Sequence, residues 1–437
     1  MPLLIVVVGI VILFVLIALF KLNAFLSFII TCLFVGITQG MELTAVAQSI
    51  QAGIGNTLGF LVVILGLGAM LGKLVADSGA AQRITSALVA KFGIKYIQWA
   101  VVLAGFIVGI PMFYSVGFVI LIPLVFTVAA STGLPLIYVG LPMLTSLSVT
   151  HGFLPPHPAP TAIAVMFDAD IGKTLWYGII IAIPAIIIAG PLFARSIKKI
   201  QGSPMKEFYN PVILKDEEMP GMAISVCTAL LPVILIGLST GISQFLSEGQ
   251  TKTIVDFIGH PMIAMLISVL VAIYTLGLSR GRKMKTIMDA LASAISGITM
   301  VLLIIAGAGA FKQILTDSGV SQYIGDLLKG SSFSPLLLAW LIATVIRVCV
   351  GSATVAGLTA AGIVLPLIAD SGVSPELMVI AVGSGSLMLS HVNDGGFWMF
   401  KEYFNLSVKE TLSTWTIMET SVGIIGLIGV LILDLLI

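Results

Sequence analysis

Charged residues are scarce in this sequence. Only 9% of its 437 residues are Asp, Glu, Lys or Arg, whereas 58% are hydrophobic and the mean hydropathy is +1.16. Soluble domains carry about 25% charged residues, so this chain has too few to cover a water-facing surface. The composition predicts an all-α polytopic membrane protein surrounded by lipid. The net charge of +1 argues against a nucleic-acid partner.

Cysteine is equally sparse. Cys32, Cys227 and Cys349 stand singly in apolar runs and form no CxxC pair, so buried thiols are expected rather than disulfides. No HExxH or GxSxG motif occurs, and the histidines lack the spacing of metal ligands. Neither an enzyme nor a metal or other cofactor is predicted. The run Leu3–Phe20 has no basic region before it and is interpreted as a retained first span.

Apolar runs of about 20 residues are long enough to cross a bilayer as helices. They occupy residues 2–20, 23–40, 57–75, 174–194, 223–247, 261–279, 294–311 and 411–435.

One long polar linker, Arg195 to Gly221, divides the chain almost in half. It predicts a first membrane unit over 1–197, a cytoplasmic linker over 198–222 and a second membrane unit over 223–437. Basic residues mark the cytoplasmic ends of spans. The basic segments Arg195–Lys199 and Arg280–Lys285 are therefore placed on the cytoplasmic side. Counting spans outward from them predicts that both termini are extracytoplasmic.

Two motifs recur at one offset. Asp77-Ser-Gly-Ala-Ala-Gln matches Asp317-Ser-Gly-Val-Ser-Gln, 240 positions later (317 − 77), and His151 and His391 are separated by the same 240. A shared offset indicates an internal duplication. Because the basic residues put Asp77 inside and Asp317 outside, the copies are predicted to be inverted, which is an architecture of secondary transporters.

Each half then contains two interrupted elements. The arms Trp99–Ile110 and Phe118–Ala130, and the arms Trp340–Val350 and Leu358–Ala369, are too short to span separately. They favour a re-entrant hairpin in each half, with a kinked complete span as the alternative. A broken helix follows at His151 and at His391. The predicted fold therefore has two inverted repeats, each with three spans, a re-entrant hairpin, a broken helix and a final span.

The interruptions carry the candidate binding groups. Half-helix N-termini suit a carboxylate, and hydroxyl and amide groups suit a polyhydroxylated substrate. His157, among prolines, is expected at the outer lip. The candidate substrate-binding residues are Tyr114, Ser115, Thr150, His151, Arg347, Ser352, Thr354, Ser390, His391 and Asn393.

Arg347 is a charge deep in an apolar arm, and such a charge is by default functional. It either pairs with an anionic substrate or forms a structural ion pair, for which Asp394 is the expected partner. Asp394 is a candidate proton carrier or a helix cap. His151 and His391 titrate near physiological pH, so proton coupling is assigned to Asp394, His391 or His151.

These motifs resemble the gluconate permease (gluconate:proton symporter) family over essentially the whole chain. The residues that carry the resemblance are Gly68–Lys73, Ser148–Pro158, Gly351–Ala356, Ser390–Asp394 and Gly396–Trp398. The resemblance implies a bacterial inner-membrane symporter for D-gluconate or a related sugar acid. It also implies a place in the wider ion-transporter superfamily, a homodimer and an elevator mechanism.

Two residues depart from the family pattern. Ser115 stands where the family has glutamate, and Gly395 stands where it has proline. If that glutamate carries the proton, coupling here passes to Asp394 or a histidine, or is lost. The alternatives are a carrier for another small organic or amino acid such as D-serine, sodium coupling, an intramembrane enzyme that uses the histidines, or a channel.

Overall fold

The structure is a computed structural model, and every regular element that it describes is a helix. It describes residues 2–112, 114–203, 214–243, 245–320, 323, 334–369, 372–392 and 394–437.

The helices of the first half are α1 (Pro2–Phe14), α2 (Ala24–Thr38), α3 (Leu43–Asp77), α4 (Ala80–Phe92), α5 (Ile97–Gly109), α6 (Tyr114–Thr132), α7 (Leu136–Phe153), α8 (Pro158–Met166), α9 (Ile171–Ile187) and α10 (Phe193–Ser196). A π-helical turn, Ile188–Leu192, joins α9 to α10 and makes one long span of Ile171–Ser196.

The helices of the second half are α11 (Met222–Ser243), α12 (Gln250–Gly259), α13 (Pro261–Ala272), α14 (Met284–Asp317), α15 (Pro335–Val350), α16 (Ala353–Ala369), α17 (Pro375–Gly385), α18 (Gly395–Tyr403), α19 (Val408–Thr411) and α20 (Ile417–Asp434). The π-helical turn Leu412–Thr416 joins α19 to α20 in a single span.

Membrane crossing is supported by helix length and hydropathy. Six helices of the described chain are long and apolar enough to cross a bilayer, or up to eight if each of two bent pairs counts as one span. The broken helix Leu136–Met166 is 89% buried over its most apolar window, against 28–50% for the other five. It therefore lies at the core, while the others leave apolar surface for lipid.

Several helices of the two halves correspond at one offset. α3 ends at Asp77 and α14 ends at Asp317, and α5 to α8 pair with α15 to α18 at nearly the same offset. This correspondence of helices supports the predicted duplication, and the opposite membrane orientation of the copies stays a prediction.

α3 and α14 pack backbone against backbone. A Cβ added to Gly53 would lie 2.5 Å from the carbonyl oxygen of Gly309, and one added to Gly309 would lie 2.6 Å from the Cβ of Thr57. Small residues permit such close helix approach in membranes. Both helices are longer than the predicted spans 57–75 and 294–311.

Each half contains a helical hairpin with a short tip. α15 turns into α16 at Gly351, whose φ of +77° is favourable for glycine, and Ser352. In the first half, α5 ends at Gly109 and α6 begins at Tyr114. The predicted tips, 111–117 and 351–357, were too long. Residues 114–117 and 353–357 contain no proline, so their backbone keeps its helical hydrogen bonds in an apolar setting. Tyr114 and Thr354 consequently lie in first helical turns.

The two helix breaks differ in position and width. α7 continues through His151 to Phe153 and ends there because Leu154 precedes Pro155 and is extended, with φ −112° and ψ 119°. His151 thus lies in the last turn of α7, not in the break as predicted. In the second half, residues 386–394 separate α17 from α18, and His391 does lie within this break.

Candidate functional site

A cavity of about 330 Å³ lies between the hairpin tips and the broken helices. Small-molecule sites typically occupy about 300–1,000 Å³, so this cavity suits a small ligand. Its walls come from Tyr114, Ser148, His151, Arg347, Gly351, Ser352, Ala353, Thr354, Leu387, Asp394, Gly395, Gly396, Met399, Trp415 and Glu419.

Arg347 and Asp394 form an ion pair on the cavity wall. The Nη2 of Arg347 donates to the Oδ2 of Asp394. Arg347 is only 2% exposed, yet its Nε and Nη1 have no hydrogen-bond partner in the described chain. The arginine therefore retains buried donors for an anionic ligand as well as its protein partner, so the two sequence-based alternatives for Arg347 are compatible.

Asp394 is held by several donors besides the arginine. The hydroxyl of Ser390 donates to its Oδ2, and the backbone N–H of Gly396 donates to its Oδ1 at 2.9 Å, so Asp394 caps α18. Ser390 is itself fixed by the indole N–H of Trp415, which donates to the serine hydroxyl oxygen at 2.7 Å. Ser390 thus contacts Asp394 rather than the cavity.

Two helix N-termini also meet the cavity. Ser352, Ala353 and Thr354 line it at the start of α16, and Gly395 and Gly396 line it at the start of α18. The first N–H groups of a helix have no intrahelical acceptor and carry partial positive charge. Together with Arg347, they create an environment that favours an anion.

Aromatic rings form another wall. The ring of Tyr114 lies 6.0 Å from the rings of both His151 and Trp415, measured between centroids. The ring of His157 lies 5.4 Å from that of His151, and its Nε2 donates to the carbonyl oxygen of Gly109 at 2.7 Å. His157 is 3% exposed. It is therefore a buried residue that joins α8 to α5, not a residue of the outer lip.

Glu419 is a cavity residue that the sequence analysis did not identify. It lies in α20, is 3% exposed, and accepts a hydrogen bond on Oε1 from the hydroxyl of Ser148 in α7. A carboxyl group inside the apolar run 411–435 was a detectable signal, because ionisable residues in spans are costly and usually functional.

The remaining predicted residues lie outside the cavity wall or outside the described structure. The hydroxyl of Thr150 donates to the carbonyl oxygen of Leu147 at 2.9 Å, within its own helix. A ring nitrogen of His391 donates to the carbonyl oxygen of Val348 at 3.2 Å. The side chain of Ser115 and the whole of Asn393 lie outside the described residues.

The site can bind an anion and form polar contacts with it. Hydroxyl groups of Ser148, Ser352 and Thr354 stand beside the charged groups. Among the described residues, no group of three or more His, Cys, Asp or Glu side chains could hold a metal ion.

A larger open groove of about 550 Å³ lies along α9, α11 and α12. Of its charged residues, Asp170 accepts a hydrogen bond from the N–H of Lys173, and Lys252 pairs with Glu248. Its charged groups are exposed or partly exposed, so the smaller cavity is the better candidate site.

The sequence matches bacterial transporters over essentially its entire length. The family model for GntP family permeases covers residues 1–436. The chain is 55% identical to a high-affinity gluconate transporter of Escherichia coli, over 100% of both chains. It is 50% identical to the L-idonate transporter of the Gnt-II system of E. coli, over 99% of both. It is also 50% identical to a gluconate permease of Bacillus subtilis, over 100% of both.

Two solved structures share the fold. MtrF of Neisseria gonorrhoeae has a TM-score of 0.71 at 16% identity and covers 94% of each chain. The YdaH transporter of Alcanivorax borkumensis has a TM-score of 0.68 at 17% identity, over 94% of this chain and 96% of its own. The predicted class, an all-helical polytopic membrane protein, is confirmed, as is the prediction that the protein is not an enzyme. The chain belongs to the GntP family of permeases.

Proposed function

We propose that this protein is a secondary active transporter that imports D-gluconate or a closely related sugar acid by proton symport. One observation carries the proposal: Arg347 lines the cavity, and two nitrogens of its buried guanidinium group, Nε and Nη1, have no partner in the described chain. A planar guanidinium with free donors is suited to two-point binding of a carboxylate.

The rest of the cavity suits the polyhydroxyl part of a sugar acid. Ser148, Ser352 and Thr354 offer hydroxyl groups, and Tyr114 has a hydroxyl with no partner in the described chain. Relatives that transport gluconate and L-idonate are 50–55% identical to this chain, which supports the same substrate class.

Proton coupling requires a group that binds and releases a proton during transport. Asp394 and His151 are cavity residues, and His391 lies in the neighbouring break. These three residues are the sequence-based candidates for that role.

The arrangement of helices supports an elevator mechanism. The cavity walls come from α6, α7, α15, α16, α18, α20 and the segments adjoining them, and none of the lining residues described belongs to α1–α3 or α11–α14. The hairpins and broken helices can therefore carry the site as one body past the long helices. In keeping with the family resemblance, we place the protein in the bacterial inner membrane as a homodimer, with both termini extracytoplasmic.

Ligand specificity can be tested on the purified protein. In a thermal-shift panel, D-gluconate and L-idonate are expected to raise the unfolding temperature, and D-serine and sodium are expected to have no effect. Saturation at about 100 times Kd should stabilise the protein by about 2.7 kcal/mol. A shift with D-serine alone would favour an amino-acid carrier, and a gluconate shift that requires sodium would favour sodium coupling.

A further inference from the structure

Glu419 is a buried carboxyl group in the same cavity as the ion pair. It is 3% exposed and lies within the span Val408–Asp434. The titratable and charged groups that share its cavity are Tyr114 from α6, His151 from α7, Arg347 from α15 and Asp394 before α18. The sequence-based assignment of the coupled proton did not include Glu419.

The two oxygens of Glu419 have different surroundings. Oε1 accepts a hydrogen bond from the Ser148 hydroxyl, whereas Oε2 is buried and has no partner in the described chain. Burying an oxygen that lacks a hydrogen-bond partner is costly, because the oxygen loses its hydration without replacing it. A proton on Oε2 would neutralise the buried carboxylate and make Oε2 a donor, whose hydrogen bond a substrate oxygen bound in the cavity could accept.

Asp394 differs from Glu419 in this respect. Its carboxylate already accepts from Arg347, from the Ser390 hydroxyl and from the Gly396 N–H. Hydrogen bonds and a positive neighbour satisfy an ionised carboxylate. Asp394 therefore has the surroundings of a permanent counterion that orients Arg347, and Glu419 does not.

We propose that Glu419 carries the transported proton on its Oε2 atom, an assignment that rests on the proposed symport of a sugar acid. On the loading side a hydronium ion transfers a proton to Oε2, so that one O–H bond of the hydronium breaks, an O–H bond forms at Oε2 and a water molecule is left, and the substrate carboxylate binds at Arg347. On the release side the O–H bond at Oε2 breaks and the proton passes to a water molecule, which becomes hydronium, as the substrate leaves. No other covalent bond changes.

Electrostatics couples the two binding events. The charges of Arg347 and Asp394 offset each other, so an ionised Glu419 leaves the cavity negative and repels an anionic substrate at close range. Protonation of Glu419 removes that repulsion. By linkage, the proton then strengthens substrate binding and the substrate strengthens proton binding by the same factor.

The direct test compares Glu419→Gln with the matched control Asp434→Asn in proteoliposomes. Asp434 is an exposed carboxyl on the same helix. Where Glu419 is ionised, gluconate affinity of the wild-type protein and of D434N should fall by about tenfold per pH unit as the pH rises. In E419Q, whose amide imitates the protonated acid, affinity should not change with pH. E419Q should still exchange labelled for unlabelled gluconate but should not accumulate it under an acid-outside gradient.

Two outcomes separate this assignment from the proposed function. A wild-type protein that neither binds nor moves gluconate would refute the symporter proposal and this inference with it. A wild-type symporter whose E419Q variant keeps proton-driven accumulation and the wild-type pH profile would refute the inference alone.

A second measurement needs no variant. A hydrophobic carbodiimide reacts with protonated carboxyl groups in apolar surroundings, so it should modify Glu419 in the wild-type protein, more rapidly at acid pH and more slowly with gluconate present. Peptide mass spectrometry locates the modification. Inhibition of uptake by the reagent without modification at Glu419 would overturn the assignment.

Discussion

At the scale of single residues, the ion pair between Arg347 and Asp394 defines the site. Arg347 is nearly inaccessible, and the side chain of Asp394 is 17% exposed. Removing one partner of a buried pair typically costs about 3–5 kcal/mol, because the other charge remains uncompensated. The pair therefore links the second hairpin to the second break and holds Arg347 where an anion would bind.

Arg347→Ala is expected to abolish measurable gluconate binding. Gluconate affinity should fall by at least about 30-fold. This factor corresponds to about 2 kcal/mol of binding free energy, the smallest loss usually seen when one partner of a buried charge pair is truncated. Isothermal titration on folded, monodisperse protein measures it. Arg347→Lys should recover only part of the affinity, because an ammonium group lacks the planar two-point geometry.

A matched arginine variant controls for the loss of a positive charge. Arg83 also forms an ion pair, with Asp216 at 3.1 Å, and lies outside the cavity wall. Arg83→Ala should leave gluconate affinity unchanged. Unchanged affinity in Arg347→Ala would remove Arg347 from the site.

Of the two buried charged residues Arg347 and Glu419, only Arg347 was predicted from the sequence, and the difference lies in their positions within apolar runs. Arg347 was recognisable because it is a lone charge in a long apolar arm. Glu419 offers the same signal, but the acid stands near the start of the predicted run 411–435, where it could reach the interface. The helix and π-helical turn from Val408 to Thr416 place it well inside the span. Which residues share a cavity depends on tertiary packing, which neither charge nor spacing specifies.

At the scale of elements, the hairpins depend on close packing against the broken helices. A Cβ added to Gly105 in α5 would lie 2.6 Å from the carbonyl oxygen of Met143 in α7. Gly105→Ala should therefore force the two helices apart and lower stability by about 1–3 kcal/mol, the usual cost of overpacking. The unfolding midpoint of the purified protein measures this effect.

Gly55 in α3 is the control for this substitution. It is exposed, helical and has no atom within 4 Å of an added Cβ. Gly55→Ala should raise stability by about 0.5–1 kcal/mol through helix propensity. Equal midpoints for the two variants would contradict the proposed packing of α5 against α7.

The element boundaries show what local sequence can and cannot predict. The existence of both hairpins and both breaks followed from glycines, prolines and short apolar arms. The first break lies after Phe153 and not at His151, where it was predicted. Pro155 restricts the backbone of Leu154, the residue immediately before it, to an extended conformation, and α7 stays helical as far as Phe153. The wider second break contains no proline between 386 and 394, so its extent depends on tertiary contacts such as the capping of α18 by Asp394.

At the scale of the whole molecule, each half of the chain contributes a helical hairpin and a helix break to the region around one cavity. A duplication is predicted because the Asp77 and Asp317 motifs and the two histidines share one offset. The family resemblance is confirmed by the match over residues 1–436. The elevator mechanism predicts that the hairpins move relative to the long helices.

A reversible cross-link tests this movement. A Cβ added to Gly362 in α16 would lie 3.8 Å from the Cα of Lys312 in α14, close enough for a disulfide after small adjustments. In a background without Cys32, Cys227 and Cys349, oxidation of the pair Gly362→Cys and Lys312→Cys should stop gluconate uptake. Reduction with dithiothreitol should restore it, and each single variant should be insensitive to oxidation. Uptake at the same rate with and without the cross-link would exclude movement between α14 and α16.

Gluconate accumulation driven by a proton gradient tests the central proposal most directly. Purified protein in liposomes with an alkaline interior should accumulate labelled D-gluconate when the outside is made acidic, and a protonophore should abolish the accumulation. A sodium gradient at equal pH should have no effect. Uptake that is the same with and without the proton gradient would contradict proton symport.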